Sequence, residues 1–336
     1  MTTMCENERP RIGITLGDPS GIGPEVLAKV LPEVQERCEP VLYGCAWALN
    51  DGAAASGTEL NTTNGLEIVD IGIPRPRQFA FGEVLAECGT VAVQSVERAI
   101  DDALQGNIRA IMTCPLHKEA INAAGYTDIG HQEILGRLTK SESVATMLMT
   151  PGLRVVHLST HKSLINAARF VTRDNVLEKL RLCASTFATW GLPNARIGVA
   201  ALNPHGGEGG LLGREELDEL IPAVEAAKEE GIQALGPFPS DSIFNKAIGG
   251  DFDVVLAMYH DQGHIAIKVH NFHESISATL GIPFVRTSVD HGTAFDIAGK
   301  GIADPRSTLA AIDAAINLST GRLTDSHKLE YSSPSQ

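Results

Sequence analysis

The chain has 336 residues, 43% apolar and 5% aromatic, and its 27 Lys and Arg against 41 Asp and Glu give a formal net charge of −14. That length exceeds one ordinary core and suggests two domains, or one large α/β unit with a second lobe, and the apolar fraction argues against a disordered chain. The acidic balance excludes a general nucleic-acid binder, which needs a basic face, but leaves room for a small anionic ligand gripped by a few local cations.

The N-terminal MTTMCENERP is polar and acidic, unlike a signal peptide. Arg11–Gly17 (RIGITLG) is a short apolar run ending in a turn, and Pro24 stands where a helix's first turn tolerates it, so a helix is expected from Glu25. Strands are predicted at Val41–Gly44, Glu67–Ile71, Ala110–Thr113, Arg154–Leu158, Arg196–Ala201 and Asp253–Met258. Between them Val93, Val96, Ile100, Ala103 and Leu104 recur at helical spacing until Gly106, as do Val176, Leu180, Cys183 and Phe187 further on. A late strand-like run, IPFVRTSV, carries a single charge, Arg286. Such alternation argues an α/β fold with a largely parallel sheet. Residues after Leu323 are polar and expected to fray. Six cysteines at 5, 38, 45, 88, 114 and 183 form no CxxC, which fits reduced, buried thiols rather than a disulfide framework. No apolar run approaches the roughly 20 residues of a membrane span, so a cytoplasmic protein is expected.

Ligands of α/β sheets gather beyond the carboxyl ends of strands, and the unusual residues of this chain fall there. GDPSGIGPE closes the first strand, CPLHKEAI follows Thr113, STHKS follows Leu158, LNPHGGEGG follows Ala201 and YHDQGH follows Met258. His161, His205 and His260 stand in three of these loops. One loop histidine is ordinarily a hydrogen-bonding surface residue. Three at equivalent strand ends are a metal candidate, because imidazoles suit zinc and other divalent ions and leave a position open for substrate. GDPSGIGPE is a rival phosphate site, a Gly-rich turn into a helix N-terminus, but it lacks the GxGxxG spacing and the Walker lysine. Val289–Asp304 reads VDHGTAFDIAGKGIAD, in which Gly292, Gly299 and Gly301 let the backbone lie flat against a ligand. A plain Gly-rich turn before the last helix is the alternative.

This last segment resembles the adenosine-binding loop of the isopropylmalate and isocitrate dehydrogenases. GDPSGIGPE, CPLHKEAINAAG, GHQEIL, NPHGGEGG, GPFPSD, MYHDQGH and RTSVDHGTAFDIAGKG also occur in the order seen in the 4-hydroxythreonine-4-phosphate dehydrogenase family, from about Arg11 to Ile316. The resemblance implies a two-domain, isocitrate-dehydrogenase-like α/β/α fold. Residues 9–125 with 275–322 would form a cofactor-side domain, and 126–274 a metal, substrate and dimerisation domain. It implies a homodimer whose site lies between subunits, with a divalent metal on His161, His205 and His260, the last from the partner subunit. Zinc is foremost, with magnesium, manganese or cobalt as alternatives. The implied reaction, placed in pyridoxal phosphate biosynthesis, oxidises a secondary alcohol with NAD as acceptor, and the β-keto acid then loses carbon dioxide. A metal lowers the pKa of a bound oxygen, for water from ~15.7 to about 7 at zinc.

Carried over to this chain, Lys118, Asp241 and Asp261 move protons or orient the alcohol, though Asp261 has a second reading as the residue that positions His260. His131, Lys268 and Arg286 fall where the family grips its substrate's charged groups. His291, Gly292, Thr293, Ala294, Asp296, Ile297, Gly299 and Asp304 fall on the cofactor loop. An acid at Asp296 accompanies NAD in the resembling enzymes, since it accepts from ribose hydroxyls and repels a 2′-phosphate; the plain alternative is a helix N-cap. Two substrate positions depart from the family: Gln132 replaces a typical Thr, and Ser277 replaces an Asn. HDQGHIAIK is also similar to relatives acting on threonate or erythronate 4-phosphate and on carboxylated aromatic cis-dihydrodiols. A dihydrodiol dehydrogenase is therefore one alternative, and a non-catalytic binding protein on the same scaffold another.

Overall fold

The computed structural model describes residues 9–60, 66–128 and 130–322. The acidic N-terminal stretch with Cys5, and the tail expected to fray from residue 323, lie outside the described residues. Among the described residues no helix is long and apolar enough to cross a membrane.

The chain begins with β1 (Arg11–Thr15), α1 (Gly23–Arg37), β2 (Glu39–Gly44), α2 (Ala46–Ser56), β3 (Glu67–Asp70), α3 (Ala86–Leu104), β4 (Ala110–Thr113), α4 (Lys118–Ala123) and α5 (His131–Thr139). It continues through β5 (Ala145–Thr150), β6 (Leu153–His157), α6 (Leu164–Phe170), α7 (Arg173–Thr189), β7 (Ile197–Ala200), α8 (Ile221–Glu229), β8 (Ala234–Phe238), α9 (Ser240–Ile248), β9 (Val254–Ala257) and α10 (His260–His270). It closes with β10 (Ile276–Leu280), β11 (Val285–Val289) and α11 (Arg306–Ser319). Two compact units result: one runs through Val144 and resumes at Ile276–Thr320, and the other is built on Ala145–Ser275. The division falls after Val144 rather than after residue 125 because α5 buries Ile134 and Leu135 in the same core as Val93 and Val96 of α3.

In the first unit the strands lie in the order β3-β2-β1-β4-β11-β10, parallel except for the β10–β11 pair. In the second the order is β5-β6-β9-β7-β8, parallel except for β5–β6. Strands covered on both faces read as unbroken apolar runs, and β4, β6, β7, β9 and β11 are buried at every residue. The stripe on α3 is buried at Val93, Val96 and Ile100, and all four predicted residues of α7 are buried. Five cysteines, Cys38, Cys45, Cys88, Cys114 and Cys183, are free and buried.

Parallel pairing puts the carboxyl ends of neighbouring strands on one edge. In the first unit, β1, β4 and β11 therefore launch GDPSGIGPE, CPLHKEAI and the loop after Val289 from the same side. In the second, β6, β9, β7 and β8 deliver His161, His260, His205 and Asp241 to a common edge.

Candidate active site

The first unit holds a buried cation with no counter-charge. Arg286 of β11 is only 5% exposed. Its Nη1 donates to Thr279 Oγ1 at 3.1 Å, its Nη2 to Thr113 Oγ1 at 2.5 Å, and its Nε has no partner. Among the described residues no carboxylate pairs with it. Burial pulls its pKa down to about 9, which leaves it a cation at neutral pH. His131, the first residue of α5, has a buried Nε2 without a partner. Burial, and then the positive charge of Arg286, push its pKa well below the ordinary value, so the ring is neutral. A guanidinium held by two threonines beside a neutral imidazole is chemically suited to an anion. Ser277 pairs in register with Ser288, to whose carbonyl its Oγ donates at 3.4 Å, and Ser288 Oγ in turn donates to Thr113 O at 2.9 Å. Gln132 and Lys118 are exposed in the first turns of α5 and α4.

The loop from Asp290 to Asp304 rests on GDPSGIGPE. Ile22 N donates to Thr293 O at 3.0 Å, and a Cβ added at Gly21 would lie 2.9 Å from Thr293 Cβ, so only glycine permits this approach. The expected rival phosphate site is thus occupied by protein. It also carries Asp18, 1% exposed, whose pKa burial raises to about 7. A buried acid in the turn is a poor host for phosphate. Further along, Lys29 Nζ donates to the carbonyls of Gly301 (3.1 Å) and Ala303 (2.6 Å), while Glu25 accepts from Ala303 N at 2.9 Å. His117 stacks on Phe295 with ring centroids 4.2 Å apart. Gly299 and Gly301 adopt left-handed φ of 74° and 72°, as does Ala294 at 43°, whereas Gly292 does not. His291 is exposed, its Nδ1 3.0 Å from Gly292 O, and Ile297 donates its N–H to Ala294 O. Asp296 is exposed in the turn at the loop's centre. Asp304 accepts from Arg306 N at 3.0 Å and pairs with its guanidinium, fastening the loop to the start of α11.

The second unit gathers four histidines, two of them unforeseen. His260 opens α10 and His264 follows one turn later, their rings stacked at 3.6 Å. His264 Nδ1 lies 3.1 Å from Nε2 of His157, the last residue of β6. Burial, then the neighbouring His264 and His260, push the pKa of His157 down to about 3. The centroid of His161 is 6.4 Å from that of His260. His260 Nδ1 is bonded to Asp261 Oδ1 at 2.7 Å, the contact that the positioning reading of Asp261 requires. His205 stands apart from these ring contacts. It begins a run, His205–Gly209, in which every φ is positive (55°, 68°, 76°, 48° and 65°), a complete left-handed turn, and its Nδ1 meets Glu208 Oε1 at 2.9 Å. Lys268 sits 4.9 Å over the Phe272 ring, and Asp241 is exposed in the first turn of α9.

Do these residues suit a metal? His205 and His260 each commit Nδ1 to a carboxylate, the arrangement that turns Nε2 outward as a ligand. Among the described residues of one chain, however, no three His, Cys, Asp or Glu side chains come together as a metal site. Two imidazoles on one tetrahedral ion have centroids about 5 Å apart, from metal–nitrogen bonds of about 2.1 Å; His161 and His260 stand wider, at 6.4 Å. The donor chemistry fits, while the closure of the site does not occur within a single chain.

Comparison with known proteins places these features in a family. Residues 36–315 match the family model described as PdxA, pyridoxal phosphate biosynthetic protein. The D-threonate 4-phosphate dehydrogenase of Cupriavidus necator is 42% identical over 328 residues, covering 93% of this chain and 98% of the relative. Among solved structures, a 4-hydroxythreonine-4-phosphate dehydrogenase from Burkholderia phymatum superposes with a TM-score of 0.83 at 41% identity, over 93% of this chain and 99% of the other. A terephthalate 1,2-cis-dihydrodiol dehydrogenase from Burkholderia xenovorans gives a TM-score of 0.67 at 32% identity, over 94% and 99%.

Proposed function

Because the chain belongs to the PdxA family, we propose that it is an NAD-dependent, divalent-metal-assisted dehydrogenase of a four-carbon hydroxy acid 4-phosphate, threonate or erythronate 4-phosphate before 4-hydroxythreonine 4-phosphate. The observation that carries the reading is the uncompensated Arg286 cation beside neutral His131. Arg286 and His131 hold the anionic end of the substrate. His161, His205 and a His260 supplied by the second subunit of a homodimer hold the metal, and Asp261 fixes the ring orientation of His260. When bound, the metal would supply Lewis acidity at the alcohol oxygen, and NAD would accept the hydride. Asp241 and Lys118, both exposed at strand ends, remain as carriers of the alcohol proton. Oxidation of an alcohol β to the carboxylate leaves a β-keto acid that loses carbon dioxide. Support for the homodimer comes from α10, where Ile265 and Val269, with Phe272 just beyond the helix, are exposed by 60%, 81% and 66% at helical spacing. An apolar row of that kind suits a subunit interface.

Substrate choice rests on Gln132 and Ser277. A longer amide at one position and a short hydroxyl at the other change the pattern of donors and acceptors offered to the substrate. An unpaired buried polar group costs roughly 1–3 kcal/mol, enough for a tenfold preference. NAD reduction is expected to be at least about tenfold more efficient with threonate or erythronate 4-phosphate than with 4-hydroxythreonine 4-phosphate or a carboxylated cis-dihydrodiol. Preference for the amino acid phosphate would overturn the substrate assignment, and no turnover of any of them would favour a non-catalytic binder.

Cofactor choice rests on Asp296, exposed at the centre of its loop. Bringing a 2′-phosphate beside this carboxylate should cost on the order of 1–3 kcal/mol after screening, by analogy with other charge couplings. NAD should therefore be preferred over NADP by ~5- to 150-fold in kcat/KM. Equal values for the two cofactors would defeat this reading.

A further inference from the structure

One side chain ties the strand ends of the second unit together. Gln262 lies two residues after His260, on the first turn of α10. Its Oε1 accepts from Met258 N at 2.6 Å, at the end of β9. Its Nε2 donates to Ala201 O at 2.8 Å, where β7 gives way to the loop of His205. The same nitrogen donates to Ser240 Oγ at 2.8 Å, next to Asp241. Ser240 Oγ closes the triangle by donating to Ala201 O at 2.7 Å. Met258 is held from its other side by Ser159, whose Oγ donates to Met258 O at 3.3 Å from the loop that leads to His161. The network thus touches the loops of all three histidines and of Asp241.

We propose that Gln262 is a positioning residue that locks the loops of His161 and His205 in one mutual geometry, fixes the loop that presents His260 to the partner's site, and so sets the affinity of the shared sites for a divalent metal; this rests on the metal reading above. The amide is suited to the task because it donates and accepts at once. Both of its hydrogens are used and its oxygen takes a third bond, leaving the half-buried group satisfied. Glutamate has the same shape but cannot donate to Ala201 O and Ser240 Oγ. Asparagine is one carbon too short to span Met258 and Ala201. Alanine leaves the Met258 N–H without its acceptor and removes one of the two donors to Ala201 O. None of these bonds reaches the first unit, so the effect should stay with the metal.

The test is zinc affinity of the purified full-length protein, read by competition with a chromogenic chelator, for wild type, Gln262→Glu and Gln262→Ala. Melting temperature and NAD affinity are measured on the same metal-free samples. Loss of an outer partner of metal-binding histidines typically weakens binding 10- to 100-fold. Both variants are expected to bind zinc about 10- to 100-fold more weakly, with NAD affinity unchanged and metal-free melting within a few degrees of wild type. Unchanged zinc affinity in both variants overturns the assignment. So does a loss that appears only alongside lower melting and weaker NAD binding, which would mark Gln262 as a packing residue. A wild-type protein that binds no zinc overturns the metal reading itself, and this assignment with it. Gln262→Glu keeps the side chain's volume, so the test stands if the alanine variant folds poorly.

Discussion

Replacing Arg286 by methionine should reduce kcat/KM by about 30-fold or more while leaving the ligand-free protein as stable as before, or more so. Truncating one side of a buried charge pair costs about 2–5 kcal/mol. On the proposed function the other side of the pair is the substrate, so the loss should appear in turnover and KM rather than in folding. In the ligand-free protein the guanidinium is buried and, among the described residues, answered by the hydroxyls of Thr279 and Thr113. Exchanging a poorly compensated buried charge for an apolar side chain of similar length is often neutral or stabilising by about 1–4 kcal/mol. The expected signature is therefore opposite in sign for the two measurements: melting temperature equal or higher, kcat/KM far lower. A variant that melts well below wild type, with kcat/KM intact, would make Arg286 a structural residue and remove the main support for an anionic substrate.

Alanine at His161, His205 or His260 should remove most bound metal and nearly all turnover. Each is one of only three proposed ligands, and a three-ligand site keeps no spare donor. A triple variant that kept full activity after chelation would overturn the assignment. The structure sharpens a second arm of the same experiment, because one chain does not bring the three rings together. Mixing an inactive His161→Ala protein with an inactive His260→Ala protein should restore part of the activity, since a hybrid dimer contains one intact site. No recovery after proven subunit exchange would count against a site shared between subunits.

Much of the scaffold was legible because buried parallel strands must be apolar along their whole length. RIGIT, AIMT and the Val-rich runs before His157 and Met258 announce themselves that way. Three strands escaped for local reasons; ISATL of β10 places Ser and Thr among its apolar residues and offers no continuous aliphatic run. The Met-rich ATMLMT of β5 alternates with threonines and carries no β-branched core run, and ALGPF of β8 contains both Gly and Pro, which ordinarily signal a turn. The boundary after Val144 was hidden because a short helix such as α5 shows its allegiance only through what Ile134 and Leu135 touch.

The candidate site was legible at its loops and illegible in its supports. His161, His205, His260 and Arg286 stood out by type and by position at strand ends. His157 did not, because within the predicted strand Arg154–Leu158 nothing in the letters shows that it is buried against the ring of His264. His264 and Gln262 lay within a motif already noted, yet nothing in the letters says that one stacks on His260 and the other spans three loops. The glycines of GDPSGIGPE offered a rival phosphate site that lacked the right spacing, and packing shows their room filled by Thr293. Composition tells where space exists, and only packing tells what fills it.

The left-handed turn at His205–Gly209 bears on how this protein tolerates mutation. Surface loops are ordinarily the parts of a chain where substitutions pass with little effect. Here the backbone has the mirror handedness of an ordinary helix, which costs an L-residue with a side chain roughly 1–2 kcal/mol. A single base change in a glycine codon yields, when it changes the amino acid, a residue that carries a Cβ. At Gly206 and Gly209 nothing lies within 4 Å of an added Cβ, so the cost there is of chirality alone, with no clash to repack around. His205 and Glu208 already bear that strain. A largely exposed stretch is thereby less free to mutate than its exposure alone suggests.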